Sequence, residues 1–162
     1  GRAEFFLYKR RHVRQSLTHA YADGISMTET TLKPQTPETR EALQTDIVRL
    51  DRFPFRVGRE SRYGLVRGQW KSMERRQLEA PPNNDLYLVD RGDVLNISRE
   101  NFNIIRKDDG SYALDDRGST CGTSVDDTNM GIGCEQSQRA LKDGSTIIVG
   151  TQESPYRFTF NI

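Results

Sequence analysis

The 162-residue sequence predicts an antiparallel all-β domain, a sandwich or barrel, behind an N-terminal extension. Short apolar runs recur through residues 46–162 with turn residues between them. Asp108-Asp109-Gly110 lies between two such runs, a strong hairpin signal. Tyr156-Arg157-Phe158-Thr159-Phe160 alternates apolar and polar residues with period two.

The N-terminal segment reads in two ways. Phe6, Val13, Leu17 and Tyr21 share one helical face, so about 4–22 reads as a helix docked on the sandwich. Phe5-Phe6-Leu7-Tyr8 reads equally as a strand. The apolar part is too short to test a third reading, the tail of a membrane helix followed by basic residues. From Met27 to Gln44 the chain is rich in Thr, Pro and Glu, with Pro34 and Pro37, a linker composition. Residues 1–45 are therefore expected to be extension and linker, and 46–162 the domain.

Ile47 and Leu50, then Phe53, Phe55 and Val57, form two runs broken by Asp51-Arg52, a hairpin-like start. Residues 61–80 break the strand rhythm. They carry Arg62, Arg67, Lys71, Arg75, Arg76 and Trp70, with Glu74 and Glu79 interspersed, and read as an inserted loop with a helical turn across Trp70–Leu78. Leu86–Val89 follows a Pro-Pro-Asn-Asn turn and ends at Arg91-Gly92. Phe102–Ile105 and Tyr112–Leu114 flank the Asp108 hairpin, and Gly131-Ile132-Gly133 connects later strands. Lys142-Asp143-Gly144 turns the chain into Thr146–Val149, which precedes the alternating strand at Tyr156–Phe160.

Composition narrows the function classes. The 24 Lys+Arg nearly cancel the 23 Asp+Glu, against a general nucleic-acid-coating role. The interspersed glutamates make the basic insertion a solvated or partner-facing loop rather than a nucleic-acid contact. No apolar run approaches the roughly 20 residues that span a bilayer, and no signal-peptide pattern is present, so a cytoplasmic location without direct membrane insertion is expected. The first residue is Gly1 rather than Met, which suggests a piece of a longer protein. Cys121 and Cys134 are expected as reduced thiols.

Two polar loops carry the chemistry. One is Leu95-Asn96-Ile97-Ser98-Arg99-Glu100-Asn101-Phe102. The other is Asp115-Asp116-Arg117-Gly118-Ser119-Thr120-Cys121-Gly122-Thr123. With Gly58-Arg59 they offer arginine and hydroxyl donors suited to holding a phosphate. A phosphate monoester near neutral pH carries about −1.5 to −2 charge and three acceptor oxygens. Arg59 has a planar guanidinium fork for such a group, Ser98 a hydroxyl donor, Arg99 a second cation and Thr120 a further hydroxyl. Nothing here suits cleavage. His12 and His19 lie far from Cys121, the His and Cys spacings make a poor zinc set, and no nucleotide phosphate loop is present. No cofactor is implied.

These residues resemble the forkhead-associated (FHA) domain family over about 46–162. The resemblance rests on Phe55-Arg56-Val57-Gly58-Arg59, Asn84-Asp85-Leu86, Ile97-Ser98-Arg99 with Phe102, Asp116-Arg117-Gly118-Ser119-Thr120, Gly122-Thr123 and Leu141-Lys142-Asp143-Gly144, in that order. It implies a two-sheet β-sandwich whose loops at one end bind phosphothreonine peptides in kinase-linked signalling, without catalysis. Arg59 and Ser98 would hold the phosphate, Thr120 and Arg99 assist, and Cys121 lie beside the peptide. Gly122 and Thr123 would serve the fold, and Gly58 reads on its own as relief of a tight turn.

Two departures stand out. Asn101 occupies the place of a family histidine that bonds within the loop scaffold. Cys121 replaces an asparagine whose amide usually holds the peptide backbone, and a thiol is a poor substitute. The alternative is therefore a protein–protein scaffold of the same fold with weakened or lost phosphate recognition. Glu29-Thr30-Thr31 also resembles a phosphorylated motif that folds back onto its own domain in small actinobacterial FHA regulators. It makes the Thr30/Thr31 segment a candidate internal ligand.

Overall fold

The computed structural model describes residues 28–73 and 76–162. The proposed helix or strand over 4–22, with His12 and His19, lies outside them. The described residues form two β-sheets packed as a sandwich, with one short helix. The first sheet contains β1 (Thr31–Pro34), β2 (Val48–Arg49), β8 (Thr123–Val125), β9 (Thr128–Met130), β11 (Thr146–Val149) and β12 (Arg157–Asn161), in the order β2-β1-β12-β11-β8-β9. The second contains β3 (Phe55–Val66), β4 (Gln69–Met73), β5 (Leu86–Asp90), β6 (Phe102–Arg106), β7 (Tyr112–Asp116) and β10 (Gln138–Leu141). Its order is β10-β7-β6-β3-β4, with β5 also on β3. Leu32, Phe158, Phe160, Ile147 and Val125 of the first sheet are fully buried, as are Val57, Leu88, Phe102, Ile104 and Leu114 of the second. Burying each such side chain contributes about 1.5–3 kcal/mol, so the alternation along the strands holds the layers together.

Three sequence expectations change. The Thr/Pro-rich stretch contains β1, paired with β12 at Leu32↔Phe160, and the helix α1 (Pro37–Leu43). Thr36 caps that helix by accepting the Thr39 N–H at 3.1 Å, and Pro37 fills its first turn, where no N–H partner is needed. The Val48–Arg49 strand pairs with β1 rather than forming a hairpin with Phe55–Val57. Finally, the insertion begins as a β-hairpin. β3 runs on to Val66, turns through Arg67 (φ 52°) and Gly68 (φ 76°), and returns as β4 with Leu65 opposite Trp70. Two consecutive residues at positive φ match the twist of a tight hairpin. The expected helical turn is confined to a 3-10 turn at Arg76–Leu78.

β3 positions the functional end of the sandwich. Val57 pairs with Leu86 of β5 and with Phe102 of β6, so those strands lie on its opposite edges. The β3–β5 pairing is parallel, with β5 starting opposite Val57 near the beginning of β3. Where β6 has not yet begun, the 95–101 loop takes the vacant edge. Arg59 N–H donates to Ser98 O at 2.9 Å, and Asn101 N–H donates to Val57 O at 3.0 Å.

Candidate functional site

The 95–101 loop lies so close to β3 that a Cβ on Gly58 would sit 2.0 Å from Arg99 O. Glycine here provides a close approach rather than relief of a tight turn, since it lies within β3. A carboxylate fixes the loop's other side. Asp90 is fully buried and accepts from Asn96 N–H at 2.7 Å, Ile97 N–H at 2.9 Å, Gly92 N–H at 3.0 Å and the Tyr156 hydroxyl at 3.2 Å.

A polar chain running through the sandwich end ties this loop to the second one. Asn101 Oδ1 accepts from Ser98 N–H at 2.8 Å, and Asn101 Nδ2 donates to Thr123 Oγ1 at 2.8 Å. Thr123 in turn donates to Asp116 Oδ1 at 2.8 Å, which also accepts from the Ser119 hydroxyl at 2.6 Å. The other oxygen of Asp116 accepts the Gly118 and Ser119 N–H groups at 3.0 and 2.9 Å. Asn101, Ser119 and Thr123 are at most 1% exposed, so bulk water does not replace these bonds.

The two loops enclose an open cleft of about 580 Å³. Arg59, Ser98, Arg99, Thr120 and Cys121 all line it, so the structure brings together the five residues expected to bind the phosphopeptide. Arg59 is only 8% exposed, and its Nη1 donates to Ile97 O at 2.9 Å. Ser98 Oγ accepts the Thr120 N–H at 2.9 Å, which joins the loops and leaves the hydroxyl hydrogen for an outside acceptor. The Cys121 thiol is half-buried and donates to Leu95 O at 3.2 Å.

Two lining residues escaped sequence reasoning. Arg117 donates to Asn84 Oδ1 and to Asn83 O, and lies 3.7 Å from Glu100. Asn84 donates onward to Arg99 O at 2.9 Å, so the guanidinium is wired to the first loop. Burial holds Arg117 below its ordinary pKa, and the neighbouring Arg56 and Arg76 push the same way against Glu100. The other is Arg76, carried in by the insertion and 8% exposed. Among the described residues its buried Nη1 has no hydrogen-bond partner, a situation that costs about 1–3 kcal/mol. Its position inside a run of basic residues marked it no more than its neighbours.

Below the cleft, Arg56 grips Asp85 through Nε–Oδ2 at 3.0 Å and Nη2–Oδ1 at 3.1 Å, and its backbone N–H adds a bond at 2.8 Å. Burial raises the Asp85 pKa, but these bonds outweigh it and hold the carboxyl below its ordinary value. The segment bearing Asn83 and Asn84 is thereby fixed to β3. Among the described residues no group of three or more His, Cys, Asp or Glu could hold a metal ion. No described helix is long and apolar enough to cross a membrane.

The Glu29-Thr30-Thr31 segment lies elsewhere. Thr30 and Thr31 are 7% and 5% exposed, and the Thr30 hydroxyl donates to Tyr112 Oη at 3.0 Å. Tyr112 begins β7, whereas the cleft loop leaves from its other end at Asp116.

The family model for the FHA domain matches residues 55–150. No curated protein matches the chain in sequence. Among solved structures, the FHA domain of the CT664 protein from Chlamydia trachomatis is 20% identical with a TM-score of 0.52, covering 83% of this chain and 98% of that one. An FHA domain of an Arabidopsis thaliana hypothetical protein is 20% identical with a TM-score of 0.50, over 86% and 94% of the two chains. Mycobacterium tuberculosis EmbR, solved with a low-affinity phosphopeptide, is 19% identical with a TM-score of 0.50. It is matched over 84% of this chain and 25% of its own. At such identities the likeness shows the fold.

Proposed function

The chain belongs to the forkhead-associated (FHA) domain family, and we propose that it is a non-catalytic reader of phosphothreonine peptides in Ser/Thr kinase-linked regulation. Arg59 supplies the main charge-assisted contact to the phosphate and Ser98 a hydroxyl donor. Thr120 and Arg99 assist, and Cys121 borders the peptide. The observation that carries the reading is the bond from Thr120 N–H to Ser98 Oγ at 2.9 Å. It brings both loops to one point of the cleft that Arg59 lines and leaves the Ser98 hydroxyl hydrogen for a further acceptor. Three or four charge-assisted bonds of roughly 1.5–3 kcal/mol each, less association costs, lead to about micromolar affinity.

Phosphate on another chain is the preferred ligand. Phosphorylation of Thr30 or Thr31 would require a buried threonine to leave its place, Thr30 just before β1 or Thr31 within it, where Thr31 is paired with both Asn161 and Arg49. The test is a phosphothreonine peptide-library screen on the chain and on Arg59→Ala. Binding that depends on phosphate and falls by about 100-fold in the variant supports the reading, since losing one buried guanidinium contact costs about 3 kcal/mol. Equal binding of phosphorylated and unphosphorylated peptides favours the scaffold alternative. A specific observation supports that second reading: Leu65 and Trp70 face each other on the β3–β4 hairpin and are 63% and 64% exposed. Exposed apolar side chains at such a site suit a protein partner.

A further inference from the structure

Among the described residues of the insertion, Arg76 is the one basic residue that lines the cleft. Its backbone is held there by the strand that bears Arg59. Glu60, 7% exposed, accepts the Gln77 N–H at 2.6 Å, and the Glu79 N–H closes the turn onto Arg76 O at 3.0 Å. The side chain is less well satisfied than the backbone. Glu79 accepts from Nε at 3.4 Å and from Nη2 at 3.3 Å, both long bonds, and among the described residues the buried Nη1 has no acceptor. Arg117 lines the same cleft, and the two guanidinium groups repel each other. Among the described residues, Arg59, Arg76, Arg99 and Arg117 thus share the lining with one carboxylate, Glu100.

This is more cationic capacity than one phosphate needs when Arg59 and Ser98 already provide for it. A turn of the Arg76 guanidinium that loosened its long bonds to Glu79 would present Nη1 to the cleft. An anion placed between Arg76 and Arg117 would satisfy that donor and relieve the repulsion in the same step.

We propose that Arg76, with Arg117, forms a second anionic subsite that selects phosphothreonine peptides bearing a further acidic group, a carboxylate or a second phosphate, beside the phosphothreonine. The subsite rests on the reading of the cleft as a phosphothreonine site. It makes the insertion a specificity element of the domain.

The test uses fluorescence anisotropy with a phosphothreonine peptide whose flanking positions are alanine. Derivatives carry glutamate or phosphoserine at one flanking position at a time. The proteins are the full chain, Arg76→Met, which keeps the apolar stem in place, and Arg76→Lys, which keeps a cation. At one flanking position or more, an acidic group should tighten binding to the full chain by about tenfold, roughly 1.4 kcal/mol. Arg76→Met should lose that gain, Arg76→Lys should keep part of it, and the parent peptide should change by less than about threefold. A gain with glutamate points to a carboxylate source, and one with phosphoserine alone to a second phosphate; both support the subsite. If the parent binds but no acidic group helps, the subsite is wrong and the phosphothreonine reading stands. Equal weakening of parent and derivatives by Arg76→Met also overturns it, because Arg76 would then serve the phosphothreonine itself. If no phosphorylated peptide binds, both readings fall.

Discussion

The side chain of Asn101 grips the backbone of Ser98, accepting its N–H at 2.8 Å while donating to Thr123 at 2.8 Å. A family resemblance would place histidine here, and the shorter amide makes both bonds from a fully buried position. The planar amide has an acceptor and a donor on adjacent atoms, so it reaches one loop with each. Asn101→Ala should cost about 1–3 kcal/mol, since it leaves the Ser98 N–H and the Thr123–Asp116 pair short of a partner. Urea denaturation measures that loss. Phosphopeptide affinity should fall with it, because Ser98 then loses its fixed orientation.

Gly58 sets the approach of the same loop from the β3 side. A methyl group there would meet Arg99 O at 2.0 Å and Asn84 Nδ2 at 2.6 Å, the two partners of one hydrogen bond. Neither can withdraw freely, since one is backbone and the other is tied to Arg117. Gly58→Ala should therefore destabilise the domain by about 1–3 kcal/mol or more and displace the Ser98 loop. A thermal melt indistinguishable from that of the unmodified chain would show that the loop can retreat at little cost.

Much of this geometry was legible along the chain, for physical reasons that differ by residue. β12 announced itself because its alternate residues are Phe158 and Phe160, both fully buried. The Arg59, Ser98 and Thr120 placement followed from a resemblance whose fragments fall in order. β1 was hidden because Thr and Pro composition reads as linker, yet its Pro34 costs no ladder bond. Gln35 N–H reaches Arg157 of β12, so Pro34 faces the other edge, beyond the end of the β2 pairing. The β3–β4 hairpin was hidden because Arg67-Gly68 is a weak turn signal beside Asn-Gly or Asp-Gly. Arg76 could not be distinguished at all. The long-range bond from Gln77 to Glu60 holds the Arg76 backbone at the cleft, and no local pattern announces it.

Tyr156 gives the loop scaffold a dependence on alkaline pH. Burial, with the adjacent Asp90 carboxylate, raises the hydroxyl from 10.0 to about 12, against the Arg91 N–H that donates to it at 2.8 Å. The folded state thus holds the proton more tightly than the unfolded chain. The resulting stabilisation is fully present below about pH 10 and is lost as pH rises toward about 12. Ionised Tyr156 would also repel the carboxylate that anchors Asn96 and Ile97. Chemical denaturation across that window should show a steeper fall in stability for the unmodified chain than for Tyr156→Phe. Parallel curves would remove Tyr156 as the cause.

Cys121 is the last departure to weigh. Its thiol lines the cleft and spends its hydrogen on Leu95 O at 3.2 Å, leaving a weak acceptor toward a bound peptide. Asparagine has both groups the position calls for. Its Nδ2 can take over the bond to Leu95 O, which orients the amide, while Oδ1 accepts a peptide backbone N–H. One neutral hydrogen bond of about 0.5–1.5 kcal/mol corresponds to a roughly two- to tenfold gain in affinity. Calorimetric titration of a phosphothreonine peptide against Cys121→Asn should show that tightening, and unchanged affinity would discard the role. Phosphate contacts are untouched by the substitution, so the gain should appear equally with peptides that do and do not carry a second acidic group. A gain confined to one class would instead place Cys121 beside the Arg76 subsite.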